Sequence, residues 1–568
     1  MRPRSEMLYV PVCSTFVLMR LAENTLRLCF GKVSAVLWAV PARRRGTAGT
    51  VAKLPGMTKP ERRFNLAELG SILGLGPLPK ENGGSPEAGV RMDVHGVTHD
   101  SREAGPGMVF VAVPGFKRDG MDFAREAVRR GSPVVVAERS PGGSDVPVVV
   151  VPDAREALAR LACEFSGRPS EGLAVYGVTG TNGKTTTSYV LHGILSGVFG
   201  EGSCGLMTTV ETIIGDRRLP SVRTTPEATE VQRSLAGMRE SGVGRVVMEV
   251  SSHGVSLKRV YGTRFSGAIF TNLTRDHLDL HGSMEEYYLA KRGLFLMTNG
   301  PKLVNVDDEW GVRLAWEVGG ALTFGTNPDA DYRIKDVAPG ETGTAFSLRH
   351  PAGEMRLHTP LLGSYNVLNV AGAASLALAV GADEEAVCRA ARRMEQVPGR
   401  FERVPEARTG FGFEVIVDYA HTDVGLHAVL EVARDVLETA KRKTKTPGRI
   451  ICVFGAAGER DGAKRPLMGR VAAELADACI VTTDDAYGED PKEIATEVFA
   501  GIPTRSREAA RVILDREEAI RTALNLARAG DVVVVAGKGH EQVQHLPAGD
   551  VPFHDPTVVR EILREMGR

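Results

Sequence analysis

Residues 173–186, L-A-V-Y-G-V-T-G-T-N-G-K-T-T, pass from a buried strand through a glycine-rich turn into a helix. The apolar run 173–179 shows no alternation, as expected of a strand covered on both faces, and helical sequence starts at Thr185. A helix start presents unpaired N–H groups and the positive end of a dipole, and glycines let both approach a phosphate closely. Gly180, Thr181, Asn182, Gly183, Lys184, Thr185 and Thr186 are therefore candidate nucleotide contacts. Lys184 is placed to reach the terminal phosphates and the Thr185 hydroxyl to touch magnesium. The run departs from strict G-x-x-x-x-G-K-[ST], since Val178 stands at the first glycine position. An ordinary strand–turn–helix junction leaves the lysine after the glycines unexplained.

Outward from this point strands and crossovers alternate. R-V-V-M-E-V (245–250), G-A-I-F-T-N (267–272) and K-L-V-N-V (302–306) read as strands, and an Ala/Leu-rich helix covers about 366–380. After Pro398-Gly399 come E-V-I-V-D-Y (414–419), R-I-I-C-V-F-G (449–455), A-C-I-V-T-T (478–483) and D-V-V-V-V-A-G (531–537). Upstream, 109–113 and 146–151 are strands flanking a helix at Phe123–Arg130. This alternation predicts an α/β protein with mostly parallel sheets. Domains are expected at 57–166, 167–396 and 397–568.

Among 568 residues, 70 Lys plus Arg balance 70 Asp plus Glu, giving no reason to expect nucleic acid or a membrane surface. No stretch reaches 18 apolar residues, so no spanning helix is expected. Seven scattered cysteines without a C-x-x-C pair argue against a disulfide framework and a thiolate zinc site, and fit a reducing cytosol. Residues 1–56 hold nine basic and two acidic residues, with an Arg43-Arg44-Arg45 cluster and apolar patches broken by Arg20 and Lys32. They fit neither a secretory signal nor a transit peptide. They read as an extension outside the fold, with Met57 opening the folded protein.

M-E-V-S-S-H (248–253) puts Glu249 at a strand end, and T-N-L-T-R-D-H-L-D-L-H-G (271–282) follows the next strand. The carboxyl ends of parallel strands share one edge, so both runs should meet the phosphate loop. A carboxylate and a histidine there suit magnesium bridging nucleotide phosphates. Taken singly, such a histidine is as readily a cap or packing residue.

The T-G-T-N-G-K-T-T loop, T-N-L-T-R-D-H-L-D-L-H-G and A-G-K-G-H-E (536–541) together resemble the Mur ligases, and within them the MurE type, over 95–545. The resemblance implies a small α/β UDP-binding domain, a central P-loop ATPase-like parallel sheet and a Rossmann-like C-terminal domain. It also implies an ATP-dependent acid–amino-acid ligase acting on UDP-N-acetylmuramoyl-L-alanyl-D-glutamate through an acyl phosphate. That is a cytoplasmic step of peptidoglycan synthesis, on which cell shape and division depend. The expected partners are small-molecule substrates, with no nucleic acid, no membrane and a monomeric chain.

Carried over motif by motif, the resemblance assigns Ser101 and the turn Phe116, Lys117 and Arg118 to the uridine segment. Thr224, Thr225, Ser251 and Arg259 would hold the sugar-peptide, although Arg223 and Leu257 stand where Asn and Gln are common. Lys184, His277 and Lys291 would be catalytic, and Asn272, Asn366, Arg400 and Asp418 would contact nucleotide. The metal set would be Thr185, Glu249, His277 and Lys291, the last as a CO2-derived carbamate. A bare ammonium repels magnesium, whereas a carbamate offers it oxygens.

Arg460, Asp484, Asp485, Ala486, Tyr487, Gly537 and Glu541 match positions that hold the incoming amino acid. Arg pairs a carboxylate bidentately and Glu pairs an ammonium. Diaminopimelate-using relatives carry D-N-P-R, whose Arg reads the distal carboxylate, but here the run is Asp484-Asp485-Ala486-Tyr487. The missing Arg and the added acid at 485 tilt the expectation toward lysine or ornithine, unless Tyr487 or Arg460 compensates. Two rival readings remain at this point: a folylpolyglutamate synthase-like amide ligase and a nucleotide-switched binding paralogue.

Overall fold

The computed structural model describes residues 8–12, 15–22, 25–30, 64–75, 94–116, 118–140, 145–276, 278–444 and 447–567. The chain divides into two compact units, Met1–Met57 and Thr58–Arg568. In the first, strands Leu8–Val12, Thr15–Ala22 and Thr25–Phe30 form an antiparallel sheet that the sequence reading did not anticipate. Lys117 and His277 lie outside the described residues.

Among the described residues, the second unit carries a four-stranded, an eleven-stranded and a six-stranded sheet, and a small hairpin. The four strands Gly96–Thr98, Met108–Val111, Val134–Ala137 and Val148–Val150 pair in parallel and in sequence order. Helix Ala154–Phe165, capped by Asp153, lays Leu158, Leu161 and Ala162 on that sheet's apolar face.

The eleven-stranded sheet has a parallel centre and antiparallel edges. Ala174–Thr179 runs between Arg245–Glu249 and Phe265–Phe270, parallel to both. Val175, Tyr176 and Val178 on this strand are buried, as two-sided cover requires. Helices Lys184–Phe199 and Ser364–Ala379 pack one face through Val190, Leu191, Ile194, Val370 and Leu376. Each such side chain is worth about 1.5–3 kcal/mol on full burial. The edges are a hairpin (Glu211–Ile214 with Arg217–Pro220) and a meander (Tyr332–Pro339, Thr344–His350, Gly353–Thr359). Register sets Glu249 opposite Val178 and Phe270 opposite Thr179. The phosphate loop and both acidic runs therefore leave the sheet at one edge.

In the six-stranded sheet, Val532–Ala536 lies between Glu414–Asp418 and Ile450–Phe454, all parallel, with Ala478–Val481 beyond. Its carboxyl-end loops carry Tyr419, Arg460, Asp484 to Tyr487 and Gly537 to Glu541.

Candidate active site

The phosphate loop is held open by its neighbours. Gly183 caps helix Lys184–Phe199 at φ +83, and a Cβ there would meet Asn369 Oδ1 at 2.4 Å, so only glycine fits. Thr181 N donates to Asn272 O (2.8 Å), Asn182 N to Asn272 Oδ1 (2.9 Å) and Thr271 Oγ1 to Asn182 O (2.6 Å). Thr187 Oγ1 donates to Asn369 Oδ1 at 3.1 Å, and Asn369 Nδ2 to Asn366 Oδ1 at 3.1 Å. Asn272 and Asn366 thus brace the loop from two sides, with Asn369 as the link the sequence reading missed. The first turn of the helix, with Lys184, Thr185 and Thr186, leaves N–H groups for an anion.

Two lysines share one carbonyl. Lys184 Nζ donates to Gly180 O (3.1 Å) and Thr181 O (2.9 Å), and Lys291 Nζ donates to Gly180 O at 2.7 Å. Lys291 is 2% exposed and sits over the Tyr287 ring at 4.4 Å. It is presented by helix Met284–Leu296, capped by Ser283. Burial, then repulsion from Lys184, holds its ammonium well below the usual lysine range, with Asp276 opposing. Lys184 is lowered by desolvation, against the pull of Glu249 and Asp276. Glu249, 1% exposed, accepts from Thr209 N (3.0 Å) and Thr209 Oγ1 (3.4 Å). His281 Nε2 lies 2.9 Å from Ser252 Oγ, its ring stacked on Tyr287.

Contacts from the C-terminal sheet reach this loop. Arg400 Nη2 donates to Thr185 Oγ1 at 3.1 Å while its guanidinium lies over Tyr419 at 4.4 Å. Asp418 fixes that turn by accepting from Phe401 N (2.6 Å) and Ala420 N (2.7 Å). Burial pushes its carboxyl up to about 6 against the pull of Arg400. Desolvation lowers the Lys464 ammonium, against the pull of the Asp276 and Asp484 charges.

Beside Glu249, Thr225 Oγ1 donates to Glu249 O (3.0 Å) and lies 3.1 Å from Ser251 Oγ. Thr209 Oγ1 donates to Thr224 Oγ1 at 3.0 Å. Arg259 Nη1 donates to Thr225 O (3.1 Å), and its Nη2 lies 2.8 Å from Glu227. Ser251 also caps helix Ser252–Ser256, so here the capping role and the clustered position coincide. A cavity of about 180 Å³, lined by His99, Gly115, Arg155, Glu227 and Leu257, adjoins this group. Ser101 Oγ donates to Glu126 Oε2 (3.2 Å), and Phe116 and Arg118 are exposed. A larger cavity, about 590 Å³, lies at the seam of Phe64–Ile72 with Tyr261–Arg264 and is lined by none of the predicted site residues.

The loops after Ala478–Val481 and Val532–Ala536 form an acidic pocket. Oxygens of Asp484, Asp485 and Glu541 lie within 4.8 Å of one another. Lys538, fully buried, donates to Asp485 Oδ1 and Glu541 Oε2, both at 2.8 Å. The added acid at 485 thus meets an internal ammonium, which the sequence reading did not foresee although Lys538 stands inside the quoted A-G-K-G-H-E. Burial disfavours the charge on Lys538, but Asp484, Glu541 and Asp485 together raise it. Gly537, at φ +119, passes so close to Asp484 that a Cβ would meet its Oδ2 at 2.4 Å. Tyr487, after Ala486, adopts φ +50 and stacks on His545, with Arg460 5.8 Å from its ring. Behind the pocket, Arg516 pairs Asp555 with both side chains 0% exposed, and donates to Ala536 O at 3.0 Å. Nothing in the D-R-E-E sequence around Arg516 distinguishes it from a surface helix start.

Residues 178–377 match the Mur ligase middle domain, 399–539 the Mur ligase glutamate ligase domain and 93–166 the Mur ligase family catalytic domain. The chain is 41% identical over 506 residues to the UDP-N-acetylmuramoyl-L-alanyl-D-glutamate–2,6-diaminopimelate ligase of Solibacter usitatus, covering 88% of this chain and 99% of that one. It is 41% identical over 495 residues to the ligase of the same name from Geobacillus kaustophilus, covering 86% and 97%. A solved structure of such a ligase superposes with TM-score 0.61 at 30% identity, covering 89% and 100%. Folylpolyglutamate synthase of Mycobacterium tuberculosis shares the fold at TM-score 0.54 and 15% identity, covering 67% of this chain and 91% of that one.

Proposed function

The chain belongs to the Mur ligase family, and from that premise we propose that it is an ATP-dependent ligase. It joins an amino acid to the D-glutamyl γ-carboxylate of UDP-N-acetylmuramoyl-L-alanyl-D-glutamate, a cytosolic step of peptidoglycan synthesis. The observation that carries this reading is the convergence of three groups from the facing ends of two sheets. These are the phosphate loop, the Thr224/Thr225/Ser251/Arg259 cluster and, through Arg400 on Thr185, the acidic pocket.

A carboxylate is a poor electrophile. In this reading its oxygen attacks the γ-phosphorus and ADP leaves. The incoming amine then attacks the acyl carbon, expelling phosphate and giving up a proton. Bringing a carboxylate to a triphosphate is opposed by like charge. The loop N–H groups, Lys184 and Arg400 offset that charge. Lys184 reaches the phosphates by leaving the Gly180 and Thr181 carbonyls it now holds.

Thr185, Glu249, His277 and Lys291 are the residues that would hold magnesium, and the ion supplies further neutralisation of phosphate oxygens when bound. The buried Glu249 and the Thr185 hydroxyl fit that role. Lys291 fits carbamate formation, because an amine whose proton affinity is depressed by burial is free to bond CO2 carbon and release a proton.

The test is product mass. The chain is incubated with ATP, magnesium, the UDP-dipeptide and candidate amino acids. A tripeptide with equal phosphate release supports the ligase. ATP binding with no tripeptide from any amino acid favours a nucleotide-switched binding protein instead.

A further inference from the structure

Three arginines crowd one carboxylate beside the cavity of about 180 Å³. Arg223 Nη1 donates to Glu227 Oε1 at 2.6 Å, and Arg259 Nη2 lies 2.8 Å from the same oxygen. Arg259 Nη1 is taken by Thr225 O, and its Nε is buried without a partner among the described residues. Arg155 enters from the opposite wall, its Nη2 donating to Pro114 O at 2.7 Å. Burial lowers the Arg259 guanidinium from its usual range, Glu227 pulls it back up, and Arg223 and Arg155 push it further down. His99, on the cavity wall, also keeps a buried Nδ1 without a partner among the described residues. Three cations against Glu227 leave two positive charges in excess.

Stability of the fold does not account for that excess. Arg155 stands in the first turn of helix Ala154–Phe165, where the dipole disfavours a cation. Arg223 is half-exposed, and an ion pair of that kind contributes little. One carboxylate oxygen shared by two guanidiniums leaves most of their ten donors unused.

Position along the substrate says what would use them. In the ligase reading, uridine lies at Ser101 and the Phe116–Arg118 turn, and the D-glutamyl carboxylate lies at the Glu249 edge. The cavity between them has Gly115 and Arg155 on one wall and Glu227 and Leu257 on the other. It falls to the group that joins uridine to the sugar, the diphosphate, which carries one negative charge on each phosphorus. Arginine suits that group, because its planar fork bonds phosphate oxygens in pairs.

We infer that Arg155 and Arg223, together with Arg259, clamp the diphosphate of the UDP-sugar. The inference rests on the ligase reading and adds Arg155 and Arg223 to its substrate contacts. Arg223, standing where Asn is common, then supplies a charged fork in place of an uncharged amide.

Uridine and UDP differ by the diphosphate alone, so they test the clamp directly. Dissociation constants of both are measured by equilibrium dialysis on the full chain, with magnesium and saturating ADP present to occupy the phosphate loop. Arg155→Gln and Arg223→Asn should each lower the preference for UDP over uridine by about 10-fold, and the double variant by more. An unchanged preference in both single variants overturns the inference. So does an equal loss of UDP and uridine affinity, because arginines that merely brace the two walls would loosen both ligands alike. Either result leaves the ligase standing, since tripeptide formation by the wild type is read separately as product mass. A wild-type chain that binds neither UDP nor the UDP-dipeptide overturns both. The preference is a ratio measured on one protein, so it is readable in weakly stable variants.

Discussion

The Arg516–Asp555 pair offers a perturbation whose size follows from its surroundings. Both side chains are 0% exposed, with Arg516 Nε 2.8 Å from Asp555 Oδ1 and Nη2 2.7 Å from Oδ2. Asp555→Leu or Arg516→Met leaves one charge buried alone, which costs about 3–5 kcal/mol. For a domain of about 150–250 residues this lowers its melting temperature by roughly 6–20 °C. Removing both charges, with Arg516→Met and Asp555→Leu together, strands no ion. The remaining losses are the donors to Ala536 O and, at 3.5 Å, to Thr483 O, about 1 kcal/mol each. The double variant should therefore be more stable than either single one, with a coupling of about 2 kcal/mol or more.

Activity should separate from stability in that double variant. Arg516 anchors Ala536, next to Gly537, and Gly537 packs on Asp484. Loosening this contact should raise KM for the amino acid several-fold and leave KM for ATP unchanged. Urea unfolding of the four proteins gives the coupling, and steady-state kinetics at two fixed concentrations of the other substrates gives the KM values. Additive single effects, with coupling below about 0.5 kcal/mol, would refute the reasoning, because the two charges would then not be holding each other.

Two further outcomes are expected. Lys291→Ala should abolish turnover, partly restored by a short carboxylate in the buffer; wild-type-like turnover in this variant would sink the carbamate assignment. His540 is driven down to about 3, mainly by burial and then by Arg400, so its stabilising contribution is full above about 6.5 and is lost as pH falls toward 3. Asp418, raised to about 6, runs the other way, contributing fully below its unfolded value of 3.8 and losing that as pH rises through 6. The two slopes oppose each other between about 6 and 3.8, so the His540 effect must be read as a difference between variants. His540→Gln should gain on the wild type by on the order of 1.4 kcal/mol per pH unit below 6.5 in urea midpoints, and a flat difference would show that His540 does not stay neutral in the fold.

What the sequence displayed was what is local or follows from parallel topology. The strand at 173–179, its glycine turn and the helix behind it are one continuous stretch. Once the neighbouring strands are parallel, Glu249 and Asn272 must leave at the same edge. The antiparallel hairpin at 211–220 and the meander at 332–359 went unread because their strands are short or interrupted by charged residues, so no long apolar run marks them in the sequence. The contact of Asp485 was not legible for a different reason. Its partner Lys538 is 53 positions away on another strand's loop, and only the packing of the two strands' ends brings them within 2.8 Å. Arg516 and Asp555 each sit at a helix start, where a charged residue is ordinarily solvated, and nothing short of the fold shows both fully enclosed.

The balanced charge of the whole chain conceals a separation inside the site. Around the phosphate loop, Lys184 and Lys291 converge on one carbonyl and Arg400 adds a third cation on Thr185, against Glu249 and Asp276. In the pocket beyond Tyr419, three carboxylates face one lysine. Neither excess is favourable in the protein alone, and each is matched to what it would receive, phosphate on one side and an amine on the other. The two halves meet through direct contacts. Arg400 touches both Thr185 and Tyr419, Tyr419 OH donates to Glu541 Oε1 at 3.2 Å, and Glu541 holds Lys538. An amine must be deprotonated to attack an acyl phosphate. A pocket this acidic holds an ammonium charged, whereas nearby cations favour the neutral form of an amine. In the ligase reading, the attacking nitrogen is therefore expected on the Lys464 and phosphate-loop side of the site, away from the three carboxylates.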